Sequence, residues 1–413
     1  MRYFTNQEVT KIYNVSFDAV RGWIRSAQEG KNELQLGEAK SGKWQIADTH
    51  KNDMLMRELA ARGAKHKTRR VSIEVKPKSE FYELYSSAQQ VDIASSIETY
   101  GEIPLQYSYF DGGADYWDEY SNRLMDEHSA NTLRSTIELL ETNFANIDRL
   151  IGEHRRVNII DLGVGNGLPV RGLLEHLLER NVLGRYVGID LSPTMLAVAE
   201  KHITSWFGGK VAVETHVRDI TTEGFRDLLV DDYRASQENR PLNLVMLLGG
   251  TIKNLRRPED ALRQVNVSML PSDLLFYTAK LDTENSRRYF DFNAREEVAE
   301  LSDRHKLVIE LLGIDPSLYE VEQFYDETLR SRFIRIRIKL DVAVHFDGAD
   351  GDWRIDLKKN ETITLWRAWH VTAREVFDQF EGADFELLNS GVTADSEYLI
   401  TMSRPSVIKP NRG

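Results

Sequence analysis

The chain has 413 residues, 41% hydrophobic and 29% charged, with a net charge of −12 and no cysteine. That length exceeds one ordinary core, so two or more domains are expected. The absence of cysteine excludes disulfides, thiolate metal sites and cysteine nucleophiles. No apolar run reaches the roughly 18 residues of a membrane span, and the opening MRYFTNQEVTKIY lacks a secretory pattern, so a cytoplasmic protein with no membrane partner is expected. Residues 1–70 hold 14 Lys/Arg and 8 Asp/Glu, which leaves −18 on the other 343. A basic end on an acidic body points to two modules with different partners.

The first element is FTNQEVTKIYNVSFDAVRGWIRSA, which reads as two short helices around a tight turn. Thr5 followed by Glu8 fits a capping box. Val9 and Ile12 share one face, and Ser16 can cap a second helix whose apolar face is Phe17, Val20, Trp23 and Ile24. LQLGEAKSGKWQIAD then gives two strand-like pieces around a Ser-Gly turn, and a helix follows from NDMLMRELAARG into a basic tail. The segment resembles winged helix-turn-helix modules of the MerR/excisionase type. That resemblance implies DNA contact through the second helix, with Arg21 and Arg25 at a groove and Lys40, Lys43 and the Lys65–Arg70 cluster near phosphates. A helical protein-docking domain with a solvated basic face is the alternative.

Residues 71–150 read as a short strand followed by helices, with aromatics crowded at Tyr107, Tyr109, Phe110, Tyr116, Trp117 and Tyr120. Such density suits a core or a lid over a cofactor. Asp-Gly-Gly at 111–113 marks a loop.

VNIIDLG is a near-continuous apolar run, as in a parallel strand buried on both faces. Gly163, Gly165 and Gly167 follow it at once, and glycines there allow positive φ and close approach to a ligand. Val170, Leu173, Leu174, Leu177 and Leu178 then recur at helical spacing. GRYVGIDLS ends a second strand in Asp190, VAVETHVRDI a third near Asp219, and LNLVMLLGGTIKNL is a fourth. Strands alternating with helices predict an α/β, Rossmann-like doubly wound sheet with its ligand at the carboxyl edge. The third glycine comes one residue early for a dinucleotide fingerprint, and the G-x-x-x-x-G-K-[ST] of a P-loop is absent.

What stands here, D-x-G-x-G-x-G with an acid ending the next strand, resembles motif I of class I S-adenosylmethionine-dependent methyltransferases. The resemblance implies that Asp161 to Gly167 hold the methionine end of S-adenosyl-L-methionine. It places Asp190 on the ribose hydroxyls, and Asp219 with Ile220 at the adenine. LLGGTIKNL and the following LLFYTAKLDTENSRRYFDFN resemble the histidine-specific methyltransferase family over about residues 100–405. In that family the asparagine matching Asn254 touches an amino-acid substrate, and a substrate tyrosine corresponds to Tyr289. RSRFIRIRIKLDVAVHFDG and the segment from ETITLWRAWHV onward read as antiparallel strands plus a helix, while residues 285–330 suit an inserted helical cap.

Two departures matter. The family carries a Glu-x-Ser pair for the substrate imidazole where this chain has Trp366, Arg367, Ala368 and Trp369, and a cofactor lysine is replaced by Pro169. Losing the polar pair leaves imidazole N–H groups unpaired, at about 1–3 kcal/mol each. Histidine is therefore disfavoured as substrate. Trp366 and Trp369 suit either an aromatic wall for a flat or cationic group or plain core packing. By position, Tyr289 and Asp282 are the candidate catalytic residues, with His370 a further candidate base. No histidine pair has metal-ligand framing, and LLGGTIKN replaces the Asn/Asp-Pro-Pro turn of base-methylating enzymes.

The expected organisation is a winged helix-turn-helix-like module at 1–72, a helical lead-in and lid at 73–150, a cofactor-binding core at 151–280, and a substrate-binding α+β region completing the sheet at 281–413. The expected activity is N-methylation of an amino acid, derivative or peptide other than free histidine. One alternative is a DNA-binding regulator whose methyltransferase-like domain senses a ligand. Another is a methyltransferase directed to a protein or nucleic acid by its N-terminal module.

Overall fold

The computed structural model describes residues 3–13, 15–38, 44–65, 72–110, 112–126, 131–153, 156–236, 239–288, 301–348 and 351–406. The chain forms two compact units, 1–72 and 73–413.

The small unit runs β1 (Tyr3–Phe4), α1 (Asn6–Tyr13), α2 (Phe17–Gln28), β2 (Leu36–Glu38), β3 (Trp44–Ala47) and α3 (His50–Lys65). The capping box forms: the Thr5 N–H donates to Glu8 Oε2 at 2.7 Å, and the Glu8 N–H to Thr5 Oγ1 at 3.2 Å. Ser16 caps α2 by accepting from the Ala19 N–H at 3.2 Å. Val20, Trp23 and Ile24 bury against Val9, Ile46 and Met56. Phe17 and Ile12, placed on apolar faces by their spacing, are instead 39% and 53% exposed. Phe17 opens its helix at the rim of the core, where the Arg21 guanidinium covers its ring at 5.0 Å. The buried Asn52 side chain joins α3 to the β2–β3 region, donating to the carbonyls of Gln35 and Ala47 and accepting from the Gln35 N–H. Lys40, Lys43 and the basic tail after Lys65 lie outside the described residues.

The large unit opens with β4 (Ile73–Val75), then α4 (Ser79–Leu84), α5 (Ser87–Tyr100), α6 (Gly113–Asp126), α7 (Thr132–Thr142) and α8 (Phe144–Ile151). Next come β5 (Val157–Leu162), α9 (Arg171–Glu179), β6 (Leu183–Asp190), α10 (Pro193–Phe207), β7 (Val213–Val217), β8 (Leu242–Leu247) and β9 (Leu274–Lys280). Five further strands, β10 (Tyr319–Asp326) through β11 (Ser331–Ile338), β12 (Val342–Gly348), β13 (Gly351–Leu357) and β14 (Thr362–Trp369), precede β15 (Phe385–Val392) and β16 (Tyr398–Pro405).

The principal sheet has the order β15-β16-β9-β8-β5-β6-β7. β5 to β9 pair parallel, and β16 enters antiparallel between β9 and β15. All six residues of β5 and of β8 are buried, the pattern of strands covered by helices on both faces. The chain passes from β5 to β6 on one side and later returns to β8 on the other. A crevice must therefore open between the carboxyl ends of β5 and β8.

The packing crosses the expected boundaries at 150 and 280. Phe81, Tyr85, Ile93 and Ile97 from the lead-in share one core with Val308, Ile336, Val344 and Ile363 from the C-terminal region. β4 pairs parallel with β12, and the Ile103 N–H donates to the Thr364 carbonyl at 2.9 Å. The first part of the lead-in thus packs into one core with the C-terminal region. Within the expected helical cap, residues 303–311 are helical but 319–326 form strand β10, paired antiparallel with β11. Only Tyr319 at its start is buried, the rest being partly covered or exposed, so the pairing with β11 and not a period in the sequence makes the strand.

Candidate functional site

β5 ends in Asp161 and Leu162, and the chain then turns through Gly163, Gly165 and Gly167 at φ of 71°, 51° and 77°. All three angles lie where side-chain-bearing residues are strained. At Gly163 a Cβ would also stand 2.7 Å from Thr251 Oγ1. The Gly163 N–H donates to the Ile189 carbonyl at 2.8 Å, tying the turn to β6.

A cavity of about 640 Å³ lies at the carboxyl ends of these strands. Asp161, Gly163, Gly165, Asp190, Asp219, Ile220 and Asn254 all line it, so residues scattered over some 90 positions of sequence meet at one place. Gly167 does not line it. Its left-handed conformation instead starts the single turn Leu168–Val170 that leads into α9, a role in bending the chain and not in contact.

Burial pushes the Asp190 carboxyl up to about 6, against the pull of backbone N–H groups of Ser192, Leu191 and Val164. Its Oδ1 accepts from the Ser192 N–H at 2.9 Å. Burial pushes Asp161 further, to about 7, although the Tyr186 hydroxyl donates to its Oδ2 at 2.8 Å. Asp219 accepts from both the N–H and the hydroxyl of Thr221, at 2.8 and 2.6 Å. Three carboxylates and a row of glycine amides along one wall suit hydroxyl and amine donors with an anionic end.

α6 closes this wall. Asn166 in the glycine turn donates to Asp118 at 2.9 Å, and the Trp117 Nε1 would lie 3.4 Å from a Cβ on Gly165. Tyr109, Trp117 and Tyr120 line the cavity while Tyr107 is in the core, so the aromatic cluster serves both uses its density allows.

The opposite wall is made by β14 and the turn after β8. Trp366, Ala368, Trp369 and His370 face the cavity there. The Trp369 Nε1–H donates to the Leu255 carbonyl at 2.7 Å, and Arg367 is paired with Glu102. The Asn254 amide lies against Gly250, 3.5 Å from where a Cβ would stand. Lys253 donates to the Lys280 carbonyl, and Arg332 to the carbonyl of Ser286 at 3.1 Å. Burial, with Lys253 and Arg332 nearby, lowers His370 to about 3 and keeps it neutral.

Of the catalytic candidates, Tyr289 lies outside the described residues. Asp282 does not line the cavity, and its side chain is 1% exposed. Arg287 donates to it at 2.8 and 2.7 Å and holds its carboxyl below the usual range, with Arg330 at 3.8 Å. Asp282 is thus held in an ion pair with Arg287 behind the wall, 3.9 Å from His370 Nδ1.

Residues 90–405 match the family described as "Histidine-specific methyltransferase, SAM-dependent". The chain belongs to that family. It is an S-adenosylmethionine-dependent methyltransferase, and its large unit has the Rossmann-like class I fold. Solved structures similar to this methyltransferase include an S-adenosylmethionine-dependent methyltransferase from Clostridium acetobutylicum, at 13% identity over 71% of this chain and 98% of that one, with a TM-score of 0.37. The CcbJ methyltransferase from Streptomyces caelestis is 14% identical over 70% of this chain and 98% of its own, with a TM-score of 0.35. The magnesium protoporphyrin IX methyltransferase of Synechocystis PCC 6803 is 9% identical over 77% and 100%, at 0.37. No curated protein matches this methyltransferase.

Several lining residues, Lys253, Arg332 and Arg304 among them, are not singled out by the sequence of the methyltransferase. Arg304, in the first turn of the helix Asp303–Leu311, is 9% exposed. Its signal was present: Arg304, Val308 and Leu311 share a helical face, so the spacing put a cation on the buried side.

Proposed function

We propose that the cavity seats the cofactor along the glycine wall and a small amine along the β14 wall. The acceptor is then an amino acid, an amino-acid derivative or a peptide other than free histidine. The observation that carries this is the β14 wall itself. Trp366, Ala368 and Trp369 face the cavity, so positions 366–369 offer no carboxylate or hydroxyl to an imidazole. A histidine ring there would lose about 1–3 kcal/mol for each unpaired N–H.

In this reading the amides of the glycine turn and Asp161 meet the methionine end of the cofactor, Asp190 takes the ribose hydroxyls, and Asp219 with Ile220 borders the adenine. Bound there, S-adenosylmethionine supplies an activated methyl group. The chain's own part is to align a nucleophile and to favour its unprotonated form. Buried Lys253 and Arg332 on the acceptor wall favour a neutral amine over an ammonium ion. His370, with a pKa near 3, is too weak a base to be the principal proton acceptor. Asn254 is the proposed contact for the acceptor's amino-acid portion.

Titration calorimetry with S-adenosylmethionine and S-adenosylhomocysteine tests the seat. Asp190→Ala is expected to weaken both about tenfold or more, near 1.4 kcal/mol. Unchanged affinity would place the cofactor elsewhere. Labelled methyl transfer into fractionated extract and a panel of amino acids and peptides then tests the acceptor. Free histidine methylated as fast as any other compound would overturn the wall argument.

For the small unit we propose a winged helix-turn-helix that docks on DNA. Arg21 and Arg25 are exposed on α2, while Val20, Trp23 and Ile24 face the core. Fluorescence anisotropy of a labelled duplex with the full chain tests it. Arg21→Ala with Arg25→Ala should weaken binding and flatten its salt dependence; binding that ignores both changes would leave a protein-docking role. A ligand-sensing regulator would bind cofactor and DNA yet methylate nothing in any fraction.

A further inference from the structure

The glycine turn, Asp161 to Val170, contains no lysine or arginine, so its amides alone cannot supply a counter-charge for an anion. Arg171, the next basic residue, stacks over Trp206 at 5.1 Å and does not line the cavity. A cation linked to this turn through Trp117 comes from far along the chain. Trp117 abuts Gly165, and the Arg304 guanidinium lies over the Trp117 ring at 5.4 Å. Tyr109 at 5.8 Å and Tyr116 at 6.0 Å complete an aromatic surround.

Arg304 is 9% exposed, and its Nε and Nη1 have no hydrogen-bond partner. Among the described residues no carboxylate pairs with it. A buried guanidinium with two idle donors is costly to maintain unless something arrives to meet it. Aromatic faces stabilise the charge meanwhile, and the guanidinium also hydrogen-bonds the Tyr109 side chain. Of the cavity carboxylates beside the glycine turn, Asp161 is engaged with Tyr186 and Asp190 with backbone amides.

We propose that Arg304 is the carboxylate anchor for the methionine end of the cofactor, supplied across the cavity from the inserted layer and not from the glycine turn. The proposal rests on the cofactor seat argued above. It ties two parts of the unit together: β5 and its turn provide the amides, and the helix Asp303–Leu311 provides the charge. A carboxylate beside Gly165 would meet the guanidinium's charge where Arg304 borders the cavity.

The test is calorimetry with two probes: S-adenosylhomocysteine, and its decarboxylated analogue, which keeps the amine. Wild type should prefer the first about tenfold or more. Arg304→Met, which keeps length and apolar packing, should lose about that factor on S-adenosylhomocysteine and little on the analogue. Arg304→Lys should retain part of the preference. Equal weakening on both probes would make Arg304 a packing residue and overturn the proposal, and so would an unchanged preference. If Arg304→Met fails to fold by circular dichroism, the wild type still decides, because no preference between the probes sinks the idea. Failure of the folded wild type to bind either probe would instead strike at the cofactor seat itself.

Discussion

The two walls of the cavity are built in different ways. The glycine wall comes from consecutive strand ends, with Asp161, Asp190 and Asp219 each closing one strand or lying just beyond it. The acceptor wall is assembled from the turn after β8, from Ser286, from Arg332 on β11 and from Trp366 to His370 at the end of β14. The first wall is local backbone geometry repeated along a sheet. The second is tertiary packing, in which each side chain is placed by a different layer. Changes on the first wall should act through conformation and cofactor affinity, and changes on the second through the acceptor.

The sharpest way to break that contrast is at Gly163. Valine there would need φ near 71° and a Cβ 2.7 Å from Thr251 Oγ1. Strain and overpacking together should cost about 2–4 kcal/mol. Thermal denaturation should show a clearly lowered midpoint, and calorimetry should show lost cofactor binding. A variant with native stability and affinity would mean that the turn is not held as described.

Asp161 tests the electrostatics of the same wall. Its folded pKa near 7 stands above the ordinary 3.8, so between these values the folded chain without cofactor holds a proton that the unfolded chain releases. The contribution of Asp161 to stability is therefore whole at pH 4 and declines as the pH rises through 7. Asp161→Asn should remove that decline, gaining about 1–3 kcal/mol over wild type at pH 8 and nothing at pH 4. Denaturant titrations at the two pH values measure it; equal curves at pH 8 would count against a costly buried charge.

The cofactor wall was legible in the sequence because its signals are local. A glycine turn, an acid at a strand end and a helix start each occupy a few adjacent positions, and buried parallel strands read as unbroken apolar runs. The acceptor wall was legible only in part. Trp366 and Trp369 stood out by residue type, but nothing in the sequence showed Arg287 and Arg330 standing against Asp282. Strand β10 was hidden inside an expected helical cap, since its pairing with β11 is set by partners and not by its own pattern. The lead-in, too, gave no sign that β4 pairs with a strand some 270 residues away.

A titration of binding distinguishes the walls by pH. Ribose hydroxyls donate to an ionised carboxylate, so cofactor affinity should tighten as the pH rises from 5 to 7 through the Asp190 pKa of about 6. Asp190→Asn should abolish most of that tightening and leave a weaker, flatter profile. Calorimetry across the range checks it. A wild-type profile that is flat from 5 to 7 would argue that Asp190 stays ionised or does not meet the hydroxyls.

The smallest effect belongs to the acceptor wall. The Trp369 Nε1–H donates to the Leu255 carbonyl at 2.7 Å, and this bond joins β14 to the segment after Asn254. Trp369→Phe keeps an aromatic face but leaves that carbonyl without its donor, a loss of about 0.5–1.5 kcal/mol. Because the bond holds the acceptor wall to the Asn254 turn, the substitution should raise KM for the acceptor several-fold. S-adenosylhomocysteine affinity should hold within about a factor of two. Steady-state kinetics on the identified acceptor, paired with calorimetry, separates these readouts. If cofactor affinity fell as far as acceptor KM rose, the walls would not be independent, and the division of labour drawn from their construction would fail.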